Sequence, residues 1–230
     1  MRPLPLTLAA ALCLGAATAT PIAAQVTTVD EGSFTITRNG EAVGREEFRI
    51  RRTPAAAGAE YVASATVAYG DRRLSPDLRT DATGAPLAYR VEVRVGQATE
   101  ERLTGQVGRG RFTAMLKTTR GESTREYVMP DGALVLDDDI YHQYYFVAQG
   151  NRSGPTPVVI PRRSAQVTMR IEAKGAESVA VGGRSVSATH FVVTDPGGGA
   201  RDVWVDGSGR VLKVAIPSRG VVATRDELPR

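Results

Sequence analysis

Alternation with a period of two residues dominates this chain. In LAYRVEVRV, Leu87 to Val95, the side chains of Tyr89, Val91, Val93 and Val95 fall on one face and those of Arg90, Glu92 and Arg94 on the other. That is the pattern of a strand with one covered and one wet face. Similar runs occur at Ser33–Arg38, Arg45–Arg51, Tyr61–Tyr69, Thr99–Thr104, Arg111–Lys117, Thr124–Met129, Gln166–Glu172 and Arg184–Val193, and in a final pair within Asp202–Pro217. Between them stand Asn39-Gly40, Gly96-Gln97, Gly108-Arg109-Gly110, Pro130-Asp131-Gly132 and Gly182-Gly183, which are short turn signals. Short connections make antiparallel neighbours. A total of about eleven to thirteen strands is too many for one flat sheet, which must curl or split into layers. The expected fold is therefore mainly β: a curved antiparallel sheet, incomplete β-barrel or two-layer meander, with one short helix packed on it.

Residues 1–24 carry one charge, Arg2, an apolar run from Leu6 to Ala17 and small residues before Gln25, the order of a secretory signal. The run is shorter than the roughly 20 residues that span a bilayer, so cleavage after Ala24 is expected rather than anchoring. Residues 25–230 then form a single β-rich domain, and the longest Pro- and Gly-rich interruption, Gln149–Pro157, reads as an internal loop. Cys13 is the only cysteine and leaves with the signal, so packing alone must hold the domain. Leu12 before it argues against lipidation. Export without disulfides points to a bacterial periplasmic or secreted protein. The formal charge of +4 is small and its arginines are scattered, which is no nucleic-acid footprint.

Two places carry the candidate ligand contacts. At Asp206-Gly207-Ser208-Gly209-Arg210 a three-residue hairpin loop with a bulge at Gly209 would oppose Asp206 to Arg210, Trp204 to Leu212 and Asp202 to Val214. Trp204, Leu212, Val214 and Ile216 would then share a face. Trp204 is either core or the wall of a ligand site. The second place is Leu136–Gln149, where Ile140, Tyr144 and Val147, with Tyr141, Tyr145 and Ala148 one step round, make a wide apolar stripe at helical spacing. Asp137 or Asp138 could cap that helix. It packs on the sheet, or it is a lid whose Tyr144, Tyr145 and Phe146 line a pocket. Phe34 and Ile36 are even-numbered, Val43 is odd and Phe48 and Ile50 are even again, so the apolar parity changes across Gly44, and a β-bulge there would restore inward facing.

Sites for chemistry are weak. His142, expected at the surface or half-buried, and His190 lack a spacing that would bind zinc with Asp137–Asp139. Ser208 sits on a hairpin tip, and Ser185 and Ser187 share a strand with His190, so no triad is implied. Neither a cofactor nor a catalytic residue is assigned, and the protein is read as no enzyme.

NGEAVG at 39–44, a short helix after LDDD at 136–139 and the terminal VWVDGSGRVLKVAIP at 203–217 resemble bacterial envelope proteins similar in outline to the lipoprotein carriers LolA and LolB. That resemblance implies a curved, open β-barrel closed by helices and binding acyl chains. It carries no binding residue position by position, and one helix stands here where such a lid uses more. The expected partner is a lipid-like or amphipathic small molecule; the alternative is an assembly module that contacts other envelope proteins and has no ligand cavity.

Overall fold

The computed structural model describes residues 25–56, 58–149 and 152–229; the expected signal sequence lies outside them. Among the described residues one sheet contains fifteen strands. They are β1 Thr27–Arg38, β2 Glu41–Ala55, β3 Gly58–Tyr69, β4 Arg72–Asp81, β5 Pro86–Val95, β6 Ala98–Gly108, β7 Arg111–Thr118 and β8 Gly121–Val128 in the first half. The second half contributes β9 Leu134–Val135, β10 Gly154–Ile160, β11 Ala165–Val181, β12 Arg184–Thr194, β13 Ala200–Val205, β14 Val211–Ile216 and β15 Val221–Arg225.

Each half is an antiparallel meander, and β1 pairs with β15 to join them in the middle of the sheet. Among the described residues only β9 with β10 runs parallel. The sheet curls: the Gln166 amide of β11 donates to the Val128 carbonyl at the end of β8, 2.6 Å away, although β8 and β11 lie far apart in strand order. The concave side holds the main core, with Phe34, Ile36, Ile50, Val67, Leu74, Tyr89, Val93, Leu103, Phe112 and Val203 all at most 1% exposed. The fold is the expected curved antiparallel sheet with a short helix. The alternation fixes it, because every second residue of each strand must leave water.

Several local expectations change. Gln149–Pro157 is not all loop, since β10 starts at Gly154 and pairs along its length with β11. Prolines at 155 and 157 hide it from a pattern reading. Pro76 likewise masks β4, and β3 and β4 leave the ladder between Ser64↔Asp77 and Val67↔Leu74. The bulge near Gly44 is present, with Ile36 opposite Gly44 and Thr37 opposite Ala42. Space makes glycine necessary there: a Cβ on Gly44 would lie 2.5 Å from the Ala68 carbonyl oxygen and 2.6 Å from the Tyr69 ring.

At the last hairpin Gly209 takes a positive φ of 77° and Arg210 bonds Asp206 at 2.8 Å, as the loop type requires. The strands beyond it shift register, however, and Trp204 opposes Lys213, not Leu212. Leu212 and Lys213 then both face outward with Trp204. Val214 and Ile216 belong to the inner core, and Leu212 joins a separate cluster with Val179, Val181 and Ala188. A bulge at Lys174-Gly175, where Gly175 has φ 110°, makes this cluster possible. It reverses the facing of β11, so the tip of the β11–β12 hairpin turns its apolar side onto the outer face of β13 and β14.

Candidate functional site: an aromatic strap inside the curled sheet

After β9 the chain enters the concave side and stays there from Leu136 to Val147. Leu136, Ile140, Tyr141, Tyr144, Tyr145, Phe146 and Val147 are each at most 5% exposed and belong to the same cluster as the strand residues. The expected helix is much shorter: a 3-10 turn at His142–Tyr144 runs into one α-helical turn at Tyr145–Ala148. No aspartate caps it; Tyr141 stands at the amino end and makes no side-chain capping bond. A helical stripe requires one wet face, and this segment has none, so tertiary packing replaces the regular helix.

Polar contacts with the wall hold the strap. Glu46 of β2, 0% exposed, accepts the backbone N–H groups of Tyr141 and His142 at 2.7 and 2.9 Å, and its Oε1 lies 2.5 Å from Nδ1 of His142. His142 is thus fully buried, not at the surface, and its ring stacks 5.9 Å from Phe48. The strap's short turn leaves those two N–H groups without intrahelical acceptors, and Glu46 supplies both. With Nδ1–H directed at the carboxylate, Nε2 of His142 faces the interior without a partner, and so does Nε2 of Gln143.

The acidic triplet forms a second set of ties. Asp137 accepts from the Tyr89 hydroxyl at 2.9 Å and from Arg162 at 2.8 Å. Burial pushes its carboxyl above the ordinary value, and Arg162 and Tyr89 pull it back toward the charged form. Asp138 meets Arg163, and Asp139 accepts from Arg219 at 2.5 Å with Arg72 at 3.5 Å. Arg162, Arg163 and Arg219 lie in the turns after β10 and β14 and Arg72 opens β4, all at one mouth of the curl. At the strap's other end Arg152 donates to the carbonyls of Phe146, Gly132 and Thr83 at 3.2, 2.7 and 2.6 Å.

The five candidate contact residues therefore separate. Tyr144, Tyr145 and Phe146 lie together inside, where burial pushes the Tyr144 hydroxyl up to about 12. Trp204 and Leu212 are on the opposite face of the sheet. There Trp204 donates from Nε1 to Glu177 at 2.8 Å, stacks 4.6 Å from His190 and carries Lys213 over its ring at 4.8 Å. His190 joins Glu177 and Asp202, each at 2.8 Å. Glu46, Arg162 and Arg152 escaped the sequence reading. The only signal for Glu46 is its parity, since it falls among the core-facing positions Phe48 and Ile50. No group of three or more His, Cys, Asp or Glu among the described residues could hold a metal ion.

A family model described as a domain of unknown function, DUF6134, matches residues 116–224. That stretch covers the strap and the meander from within β7 to β15. No curated protein matches the chain. Among solved structures, a β-barrel-like protein of the domain of unknown function DUF1849 from Brucella abortus aligns with 89% of this chain and 98% of its own, at 10% identity and a TM-score of 0.53. A DUF1089 family protein from Pseudomonas aeruginosa aligns with 90% of this chain and 96% of its own, at 14% identity and a TM-score of 0.38. The first likeness is one of fold, a β-barrel-like sheet.

Proposed function

We propose that the protein is a non-enzymatic binder of an amphipathic, lipid-like ligand, working in the bacterial periplasm or outside the cell after loss of residues 1–24. One observation carries this reading. The space an acyl chain would need is held by Ile140–Val147, a segment tied in by side chains and the two-residue β9 rather than by a strand ladder. Such a segment can leave without breaking any other strand pair. Its departure exposes aromatic wall such as Tyr61, whose ring lies 6.1 Å from Tyr145 and 6.2 Å from Phe146. An acyl chain that replaces it regains about 0.8 kcal/mol per buried methylene. The unpartnered nitrogens of His142 and Gln143 reduce the cost of leaving, because both find partners in water. The resemblance to LolA and LolB agrees with an acyl ligand, and the short strap would take the place of their helices.

A second reading has its own support: the interior is filled by the chain itself, as an assembly module without a cavity would require, and β8 offers an unpaired edge to other envelope proteins. Native mass spectrometry after gentle purification separates the two. A bound lipid mass supports the binder, and a bare chain with a co-purifying protein supports the module.

A further inference from the structure

At the mouth where the acidic triplet is tied lies an open groove of about 370 Å³ lined by Arg38, Val43, Tyr69, Arg72 and Asp139. Its charge is unbalanced. Asp139 is the one carboxylate that Arg72 pairs with, at the long distance of 3.5 Å, and it is shared with Arg219, which also reaches Asp138 at 3.9 Å. Arg38, exposed at the end of β1, has no ion pair among the described residues. The hydroxyls of Tyr69 and Tyr141 meet at 3.1 Å beside the groove. Burial pushes both well above their usual range, so both oxygens keep a proton at neutral pH. Two O–H groups sharing one hydrogen bond leave one proton undonated. Cations, a spare hydroxyl donor and the apolar wall of Val43 together suit the junction between an anionic head and a hydrocarbon chain.

We propose that this groove binds the oxyanion head, phosphate or carboxylate, of an amphiphile, and that Asp139 occupies its arginines in the empty protein. The inference rests on the reading that the strap yields to an acyl chain, and gives that ligand its charge. Guanidinium groups pair with phosphate or carboxylate through charge-assisted, two-pronged bonds. A head bound to Arg38 and Arg72 competes with Asp139 for Arg72 and so loosens the strap where it enters. Head recognition and opening of the interior are thereby linked.

Calorimetry on the purified protein with three probes tests this: inorganic phosphate, octyl phosphate below its micelle concentration, and neutral octyl glucoside. Octyl phosphate is expected to bind more tightly than either of the others and to speed hydrogen exchange across 137–148. Arg38→Met and Arg72→Met should each weaken it by about tenfold, while Arg90→Met on the outer wall should not. Phosphate binding as tightly as octyl phosphate, and lost in Arg38→Met, would uphold the oxyanion site but remove the chain-binding reading. Octyl glucoside binding as tightly as octyl phosphate, untouched by both mouth substitutions, would overturn the oxyanion site and leave the interior reading standing. Failure of both phosphates to bind overturns the proposal outright.

Discussion

Glu46 shows how one buried group organises a segment nearly a hundred positions away. A carboxylate costs several kcal/mol to bury alone, and here it accepts from three N–H groups of the strap. Glu46→Leu leaves those donors without an acceptor and should lower stability by about 3 kcal/mol or more. Glu46→Gln keeps one acceptor and should cost less. Denaturant unfolding of the two variants measures the difference. Gly44 has a different constraint: any side chain there meets the Ala68 carbonyl and the Tyr69 ring. Gly44→Val should therefore cost about 1–3 kcal/mol, read as a lower melting temperature. The change of apolar parity revealed this bulge, but the neighbour that makes glycine necessary belongs to β3, out of reach of any local pattern.

At the scale of elements, the strap and the chain ends depend on polar ties. Arg152→Met leaves three carbonyls without their donor, and hydrogen exchange in 142–148 should quicken more than in the strands. The carboxy-terminal end is fastened by Asp226, which accepts from Ser33 at 2.5 Å and Thr35 at 2.6 Å and pairs with Arg45 at 2.7 Å. Burial alone would raise its carboxyl, but the bonds from Ser33 and Thr35 and the charge of Arg45 outweigh it and hold it below the ordinary value. A lowered folded-state pKa stabilises above the unfolded value and loses that effect as pH falls through the lowered one. Asp226→Asn should thus melt below the parent at pH 7, and the gap should close under strong acid, as thermal scans across pH would show. The strap was legible as an apolar, tyrosine-rich segment against the concave side. Its helix was not, because burial on all sides satisfies an irregular backbone through Glu46 and Asp137, groups whose partners periodicity does not register.

At the scale of the whole molecule, β8 is an open edge among the described residues, and its charges limit what can join it. A two-fold antiparallel pairing of β8 with its copy keeps each residue on its own face. The central registers then set Arg125 against Arg125, Glu126 against Glu126, or Glu122 against Glu126. Like charges directly opposite are unfavourable, and edges are commonly protected in this way. Replacing Arg125 and Glu126 together by Thr should produce concentration-dependent association in sedimentation, with the parent chain showing none through this edge. The same scale explains why the five candidate contact residues did not form one site. Facing was readable along each strand, yet the bulges at Lys174-Gly175 and beyond Trp204 change it, and the sheet separates Trp204 and Leu212 from Tyr144, Tyr145 and Phe146.

Alternation of apolar and polar side chains, with turn residues between, determined by sequence alone that this chain would form a long antiparallel meander and curl around its own interior. Which residues fill that interior was decided only in three dimensions. Hydrophobic burial has no preferred direction, so the period of a strand specifies an inside. The pairing of Glu46 with His142 and of Asp137 with Arg162 depends on which turns and strands the curl brings to the same place.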